Sequence, residues 1–212
     1  MALTTAQIQN AYVAFFNRPA DVAGLTYWSS YAGSSGDLLN TFAKSAEYNA
    51  LYSGLNNTQL VNAIYQNLFG RSPEPTGLTY WVKELDTGKV TIGNAANTIQ
   101  TGAQGSDKTI IDNKVTAATA FTTALDTTAE IVGYAGASSA LQGQVKAWLS
   151  SVTDSAASLT AAQASLTALT ATLSGGTNEA GATYVLKTEQ DILTGQLGPW
   201  EITQEVLSYL DV

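Results

Sequence analysis

Cysteine and histidine are both absent from this chain, and its one methionine is Met1. Their absence excludes disulfides, thiol nucleophiles, imidazole bases, Ser-His-Asp triads and zinc sites built on His or Cys. Charge is scarce as well: 12% of residues are charged, acids outnumber bases by 17 to 9, and the formal net charge is −8. The deficit is uneven, since residues 1–108 carry six bases and seven acids whereas residues 109–212 carry three and ten. So few Lys and Arg cannot neutralise a phosphate backbone, which argues against nucleic acid as a partner. No apolar run approaches the ~18–20 residues that span a bilayer, so membrane insertion is not expected. The first twenty residues also lack the basic start and apolar centre of a secretory leader. The phosphate loops G-x-G-x-x-G and G-x-x-x-x-G-K-[ST] are missing. Glu84 with Asp86 and Glu189 with Asp191 are local acidic pairs of the kind found on solvated surfaces. The composition therefore points away from an enzyme, and no cofactor or metal is expected in this chain.

What the chain does have is a duplication. Tyr12, Phe16, Arg18, Gly24, Leu25, Thr26, Tyr27 and Trp28 return as Tyr65, Phe69, Arg71, Gly77, Leu78, Thr79, Tyr80 and Trp81, each displaced by 53 residues without a gap. A period just above 20–50 residues suggests two copies of one helical unit, each burying its apolar face against the other. Thr5 and Thr58 are candidate N-caps for the first helix of each copy. Ile8, Ala11, Tyr12, Phe15 and Phe16 then follow the spacing of one buried helical face, as do Val61, Ile64, Tyr65, Leu68 and Phe69. Asn17 and Gly70 should end these helices in the left-handed conformation, and Pro19 or Pro73 with Asp21 or Glu74 should start the next. A third helix carries Leu39, Phe42, Ala43 and Ala46, matched by Ile92, Ala95, Ala96 and Ile99. Each copy, about 5–52 and 58–105, is thus read as three helices. The two copies hold 13 of the 19 aromatic residues, so an aromatic core is expected there.

Residues 106–174 read as an Ala/Ser/Thr-rich helical bundle. Gly102–Asp107 is a turn or linker, after which Ile111, Val115, Ala118, Leu125, Ala129 and Val132 keep helical spacing in one long helix up to a break at Gly133–Gly136. Ser138 or Ser139 then caps a helix with Leu141, Val145, Trp148, Leu149 and Val152 inward. Leu159, Ala162, Leu166, Leu169 and Leu173 form one further helical seam. Residues 175–212 are read as an extended linker and tail, with strand-like content at 182–195 and a short amphipathic helix at 199–212. The fold class is mainly α.

The duplicated run of aromatics, Asn/Gly-Arg, proline, an acidic residue and Gly-Leu-Thr-Tyr-Trp resembles an uncharacterised domain common in exported bacterial proteins. It covers about half the chain. The start Met1-Ala-Leu-Thr-Thr-Ala-Gln looks like the opening of RTX-type surface-layer proteins, and Tyr184–Gly195 is similar to the passage that leads into their calcium-binding repeats. Where that family continues with G-G-x-G-x-D nonapeptides, this chain has Gln196-Leu-Gly-Pro-Trp200, which leaves calcium to a missing C-terminal RTX region. The resemblance implies the N-terminal helical domain of a longer S-layer protein, secreted by a type I route to the bacterial cell surface. It implies anchoring by lipopolysaccharide O-polysaccharide and self-association in a lattice. Two alternatives stand beside it: a structural module that makes only protein contacts within a surface layer or filament, and an accessory domain of a secreted RTX protein.

If the chain holds a glycan, Trp28, Tyr31, Tyr48 and Tyr52 are candidates, because flat amphipathic rings pack on sugar faces. Tyr31, Tyr48 and Tyr52 have no aromatic counterpart in the second copy, whereas Trp28 repeats as Trp81 on the expected inner face and is better read as helix packing. Arg18 and Arg71 could bind an acidic sugar or phosphate with their planar forks, or could fix the turn by pairing with an acid or bonding the last helical carbonyls. Lys44, Lys83 and Lys89 are either added charge for such a site or solvated surface.

Overall fold

Side-chain caps set the start of the first helix of each copy, slightly upstream of the residues expected from the sequence. The computed structural model describes residues 2–174. Thr4, not Thr5, caps α1 (Thr5–Phe16), and Asn56, not Thr58, caps α5 (Asn57–Phe69); each forms a reciprocal capping box with Gln7 or Gln59. Both helices end as expected, Asn17 at φ 51° and Gly70 at φ 68°, in the left-handed conformation that frees the chain to turn. Asp21 then caps α2 (Val22–Ser30), and Glu74 precedes α6 (Pro75–Asp86), whose first residue is proline.

The third element of each copy differs from the expected single helix. In the first copy it divides at Ser45 into α3 (Ser35–Lys44) and α4 (Ala46–Tyr52), because the Ser45 hydroxyl accepts from Tyr48 N and starts a new helix. In the second copy a 3-10 turn at Ile92–Asn94 leads into α7 (Ala95–Thr101). The first copy thus has four helices and the second has three with a 3-10 turn.

The bundle also departs from the expectation. α8 (Gly105–Ala124) starts within the assumed linker, with Gly105 at φ 55°. The long helix breaks first at Leu125–Thr127, where Thr127 and Glu130 form a capping box that opens α9 (Thr128–Ala135), and α9 then ends at Gly136, within the break expected at Gly133–Gly136. Gly133 stays helical: a Cβ there would lie 2.1 Å from the Leu173 carbonyl oxygen, so glycine is what lets α9 press against α12 (Leu166–Ser174). α10 (Ser139–Ser150) is capped by Ser138, and the Leu159–Leu173 seam is split at Ser165 into α11 (Ala156–Ala164) and α12. The strand and helix expected beyond residue 174 lie outside the described residues. Among the described residues the secondary structure is helical, and no helix is long and apolar enough to cross a membrane.

Both copies share one core, built on Phe15, Phe16, Phe42, Trp28, Tyr48, Tyr52, Tyr65 and Phe69 with the aliphatic face of α5. α8 lies along α1 and reaches α5. At one end Lys114 Nζ donates to Asn67 O (2.6 Å), an end carbonyl of α5; eight residues on, Thr122 Oγ1 donates to Ala20 O (2.6 Å) in the turn after α1. Gln9 completes that second contact by accepting from Ala20 N (2.9 Å) and donating to Thr122 Oγ1 (2.8 Å). Val13 and Val22 of the first copy enter the two smaller bundle clusters around Leu149 and Phe121.

Gly24 and Gly77 are sequence equivalents with different surroundings. A Cβ on Gly24 would stand 2.0 Å from the Tyr12 hydroxyl, whereas on Gly77 the nearest atom is the Tyr65 hydroxyl at 3.6 Å, which Trp81 Nε1 holds by a 3.1 Å hydrogen bond. Gly24→Ala should destabilise the protein by about 1–3 kcal/mol through overpacking. Gly77→Ala should be neutral or stabilising by about 0.5–1 kcal/mol, as for alanine replacing glycine in a helix. Urea midpoints of the two variants check the contrast; equal effects would contradict it.

Candidate functional site

The turn after the first helix of each copy gathers the charged residues. Arg18, 2% exposed, donates through Nε (3.0 Å) and Nη2 (2.9 Å) to the two carboxylate oxygens of Glu47, and through Nη1 to Pro19 O (3.1 Å). Asp21 stands 3.6 Å from Nη1, and the guanidinium lies over the rings of Tyr12 and Phe16 at 5.0 and 5.4 Å. Burial opposes the charge on Arg18, but Glu47 beside it prevails and holds the guanidinium protonated well above its ordinary value. The bundle closes over this turn: Tyr134 Oη donates to Pro19 O (2.9 Å), Lys146 Nζ lies 3.7 Å from Glu47, and Asn17 Nδ2 donates to Ser150 Oγ (3.0 Å). Burial, and secondarily Asp21, raises the pKa of Tyr12 well above that of a free phenol.

The second copy repeats the skeleton. Arg71 donates through Nη1 to Ser72 O (3.0 Å), pairs with Glu74 (2.7 Å) and lies over Tyr65 and Phe69 at 5.5 and 5.8 Å. Its bidentate acid comes from a new place: Asp107 in the first turn of α8, at 3.1 and 2.7 Å, stands in for Glu47, whose own counterpart is Gln100. Arg71 is 36% exposed and Glu74 62% exposed, against 2% and 13% for Arg18 and Asp21.

These contacts favour the turn-fixing reading of the arginines. Each fork is filled by a carboxylate, so an acidic ligand would have to displace Glu47 or Asp107; the arginines fix the turns. Both also bond the carbonyl of the next residue, Pro19 or Ser72. The aromatic candidates are equally engaged. Trp28 is buried among Tyr27, Tyr31 and Phe42 at 5.0, 5.2 and 6.0 Å. Tyr48 is buried against Phe15 and Tyr52 and donates to Ile92 O (2.5 Å). Tyr52 is buried too, its hydroxyl accepting from Asn67 Nδ2 (3.1 Å) and pushed up to about 12 by burial. Trp28, Tyr48, Tyr52 and Arg18 therefore turn no open face to a sugar. Tyr31 keeps partial exposure, with its ring over Gly33.

Two residues were not singled out by sequence reasoning. Tyr80, 54% exposed on α6, stands edge-on to Trp81 at 5.0 Å, although its counterpart Tyr27 is partly buried. Lys114, 1% exposed, has burial as the cause of a pKa lowered to about 8. A polar letter recurring on an apolar helical face was the available signal for Lys114; nothing in the sequence separates Tyr80 from Tyr27. Among the described residues no group of three or more acids is placed to hold a metal ion.

Residues 39–100 match the family model described as Domain of unknown function (DUF4214), from α3 through α7. No curated protein and no solved structure matches the chain.

Removing one partner of the buried pair, by Arg18→Met or Glu47→Leu, should cost about 3–5 kcal/mol because the other charge is left buried. Arg71→Met should cost about 1 kcal/mol or less, as for exposed pairs. Denaturant titration of the single variants tests the ratio, and comparable losses at Arg18 and Arg71 would refute the division into buried and surface clamps.

Lys114 also sets a pH dependence. Folded Lys114 releases its proton near pH 8, the unfolded chain only near an ordinary lysine value, so between them the unfolded state binds more protons and stability rises with pH. Lys146, lowered by burial, adds in the same direction. Above about pH 10 the sign reverses, because Tyr48, Tyr52 and Tyr134, raised by burial, stay protonated in the folded state while their unfolded forms ionise. Lys114→Met should flatten most of the rise in urea midpoint between pH 8 and 10; an unchanged slope would contradict it.

Proposed function

We propose that this chain is a non-catalytic anchoring module of a secreted bacterial surface-layer protein, holding lipopolysaccharide O-polysaccharide through the outer face of α6. The observation that supports it is the exposed Tyr80 ring backed by Trp81. An aromatic face open to water and held by a second ring accepts the C–H face of a sugar at little cost in side-chain freedom. Thr76 and Lys83, four residues before and three after Tyr80, are exposed on the same side of the helix and provide hydrogen-bonding groups beside it. The reading keeps the glycan partner implied by the surface-layer resemblance and moves its residues from the aromatic candidates of the first copy, of which only Tyr31 is partly exposed, to α6 of the second.

A single ring and a neutral sugar give weak binding, so retention at a surface depends on many copies acting together. Co-sedimentation with outer-membrane vesicles should retain the chain when O-polysaccharide is present and not when it is absent. Tyr80→Ala, at an exposed position, should lower the retained fraction at least fivefold with the fold intact. Equal retention by both vesicle types, or none when the chain is displayed multivalently, would sink the proposal.

A further inference from the structure

We infer that the Tyr65 hydroxyl is a positioning group for the ring surface of α6, acting through Trp81 on Tyr80. The inference rests on the anchoring reading and names what shapes its site. Trp81 Nε1 donates to Tyr65 Oη (3.1 Å), and the Trp81 ring meets Tyr80 edge-on at 5.0 Å with 73° between the planes. Tyr65 is held in turn: its ring lies 5.1 Å from Phe69 and under the Arg71 guanidinium at 5.5 Å. One line of contacts therefore runs from the buried face of α5 to the exposed ring of Tyr80.

The first copy shows what that hydrogen bond replaces. There Trp28 is buried and fixed by the rings of Tyr27, Tyr31 and Phe42. The residues 53 positions on from Tyr31 and Phe42 are Glu84 and Ala95, so among the described residues Trp81 keeps a ring contact with Tyr80 alone. With the other two rings gone, the Nε1–Oη bond is what fixes the indole. The same exchange uncovers Tyr80. Tyr31 leans on Tyr27 from one helical turn on, at 5.8 Å and 31°, whereas Glu84 is paired with Lys89 (3.5 Å) and brings no ring to Tyr80. The hydroxyls differ to match. A Cβ on Gly24 would stand 2.0 Å from Tyr12 Oη, whereas one on Gly77 would stand 3.6 Å from Tyr65 Oη, which is engaged by the indole instead. An open ring already held by its neighbours loses less freedom when a sugar settles on it, so the Tyr65 hydroxyl adds to affinity without touching the sugar.

The test uses the full chain, 15N-labelled for spectroscopy and displayed multivalently for co-sedimentation with outer-membrane vesicles that bear O-polysaccharide. Tyr65→Phe deletes the acceptor and keeps the ring. It should move the Trp81 indole N–H signal, assigned by its loss in Trp81→Phe, and speed its exchange with water. It should also lower the retained fraction about threefold, the far-UV circular dichroism spectrum staying unchanged. Tyr12→Phe, the same deletion in the first copy, should leave both the indole signal and retention where they are. Because Tyr65 acts through the Tyr80 ring, Tyr65→Phe added to Tyr80→Ala should lower retention no further than Tyr80→Ala alone. The inference is overturned, with the anchoring reading intact, if Tyr80→Ala lowers retention and Tyr65→Phe does not. It is overturned in the same way if the loss in Tyr65→Phe comes without a change at the Trp81 indole, adds to that of Tyr80→Ala, or is matched by Tyr12→Phe. Retention of Tyr80→Ala equal to that of the parent chain overturns both readings.

Discussion

The buried pairing of Arg18 with Glu47 is the constraint that the rest of the molecule accommodates. A guanidinium 2% exposed is tolerable only if its donors are met, and here Glu47 takes two, Pro19 O takes one, and Asp21 and two ring faces surround the rest. A well-packed apolar substitute could match such a pair in net energy. What the fork supplies is geometry: one planar group fixes the turn after α1, the start of α4 and, through Tyr134 and Lys146, the seat of the bundle. The left-handed Asn17 is what points Arg18 inward from a helix that has just ended.

α8 ties that turn to the other repeat. At 20 residues it is about 30 Å long, enough to place Asp107 at Arg71, Lys114 at the end of α5 and Thr122 at Ala20. Lys114 has no acid among its described partners; the carbonyl end of α5, with its partial negative charge, is what it meets. The cost of burying that ammonium is therefore only partly offset, which is why it gives up its proton so readily. The small residues of α8 follow from the same placement, since Ala117 and Ala118 are buried where the helix lies closest to α1 and α11.

Local signals were legible in the sequence and distant partners were not. Asn17 and Gly70 stopped helices because few other residues accept a left-handed backbone, and Asp21, Ser138 and the prolines marked starts for equally local reasons. The break at 125–127 was obscured by Leu125, Ala129 and Val132, whose helical spacing continues across it by coincidence, while Gly133 looked like a breaker although its role is close approach to Leu173. That each arginine needs an acid could be read from one chain; that Glu47 and Asp107 serve, 29 and 36 residues away, could not. Tyr48 and Tyr52 lacked repeated counterparts for a packing reason, since they fill the space between α1, α5 and the 3-10 turn in the first copy alone.

The two copies have diverged in the direction their surroundings dictate. Where the first has Phe42 at the centre of four ring contacts, the second has Ala95, and Trp81 bonds Tyr65 instead of packing on a phenyl ring. Where the first has Glu47, the second has Gln100, whose amide pairs reciprocally with Asn10 of α1 and stitches the copies together. The first copy is thereby enclosed, by the second on one side and by α9–α10 on the other, and its turn and rings are consumed in holding the molecule together. The second keeps the same letters in its Gly-Leu-Thr-Tyr-Trp run but presents Tyr80, Arg71 and Glu74 to solvent. Among the described residues the motif of the second copy is thus the one not already occupied from within.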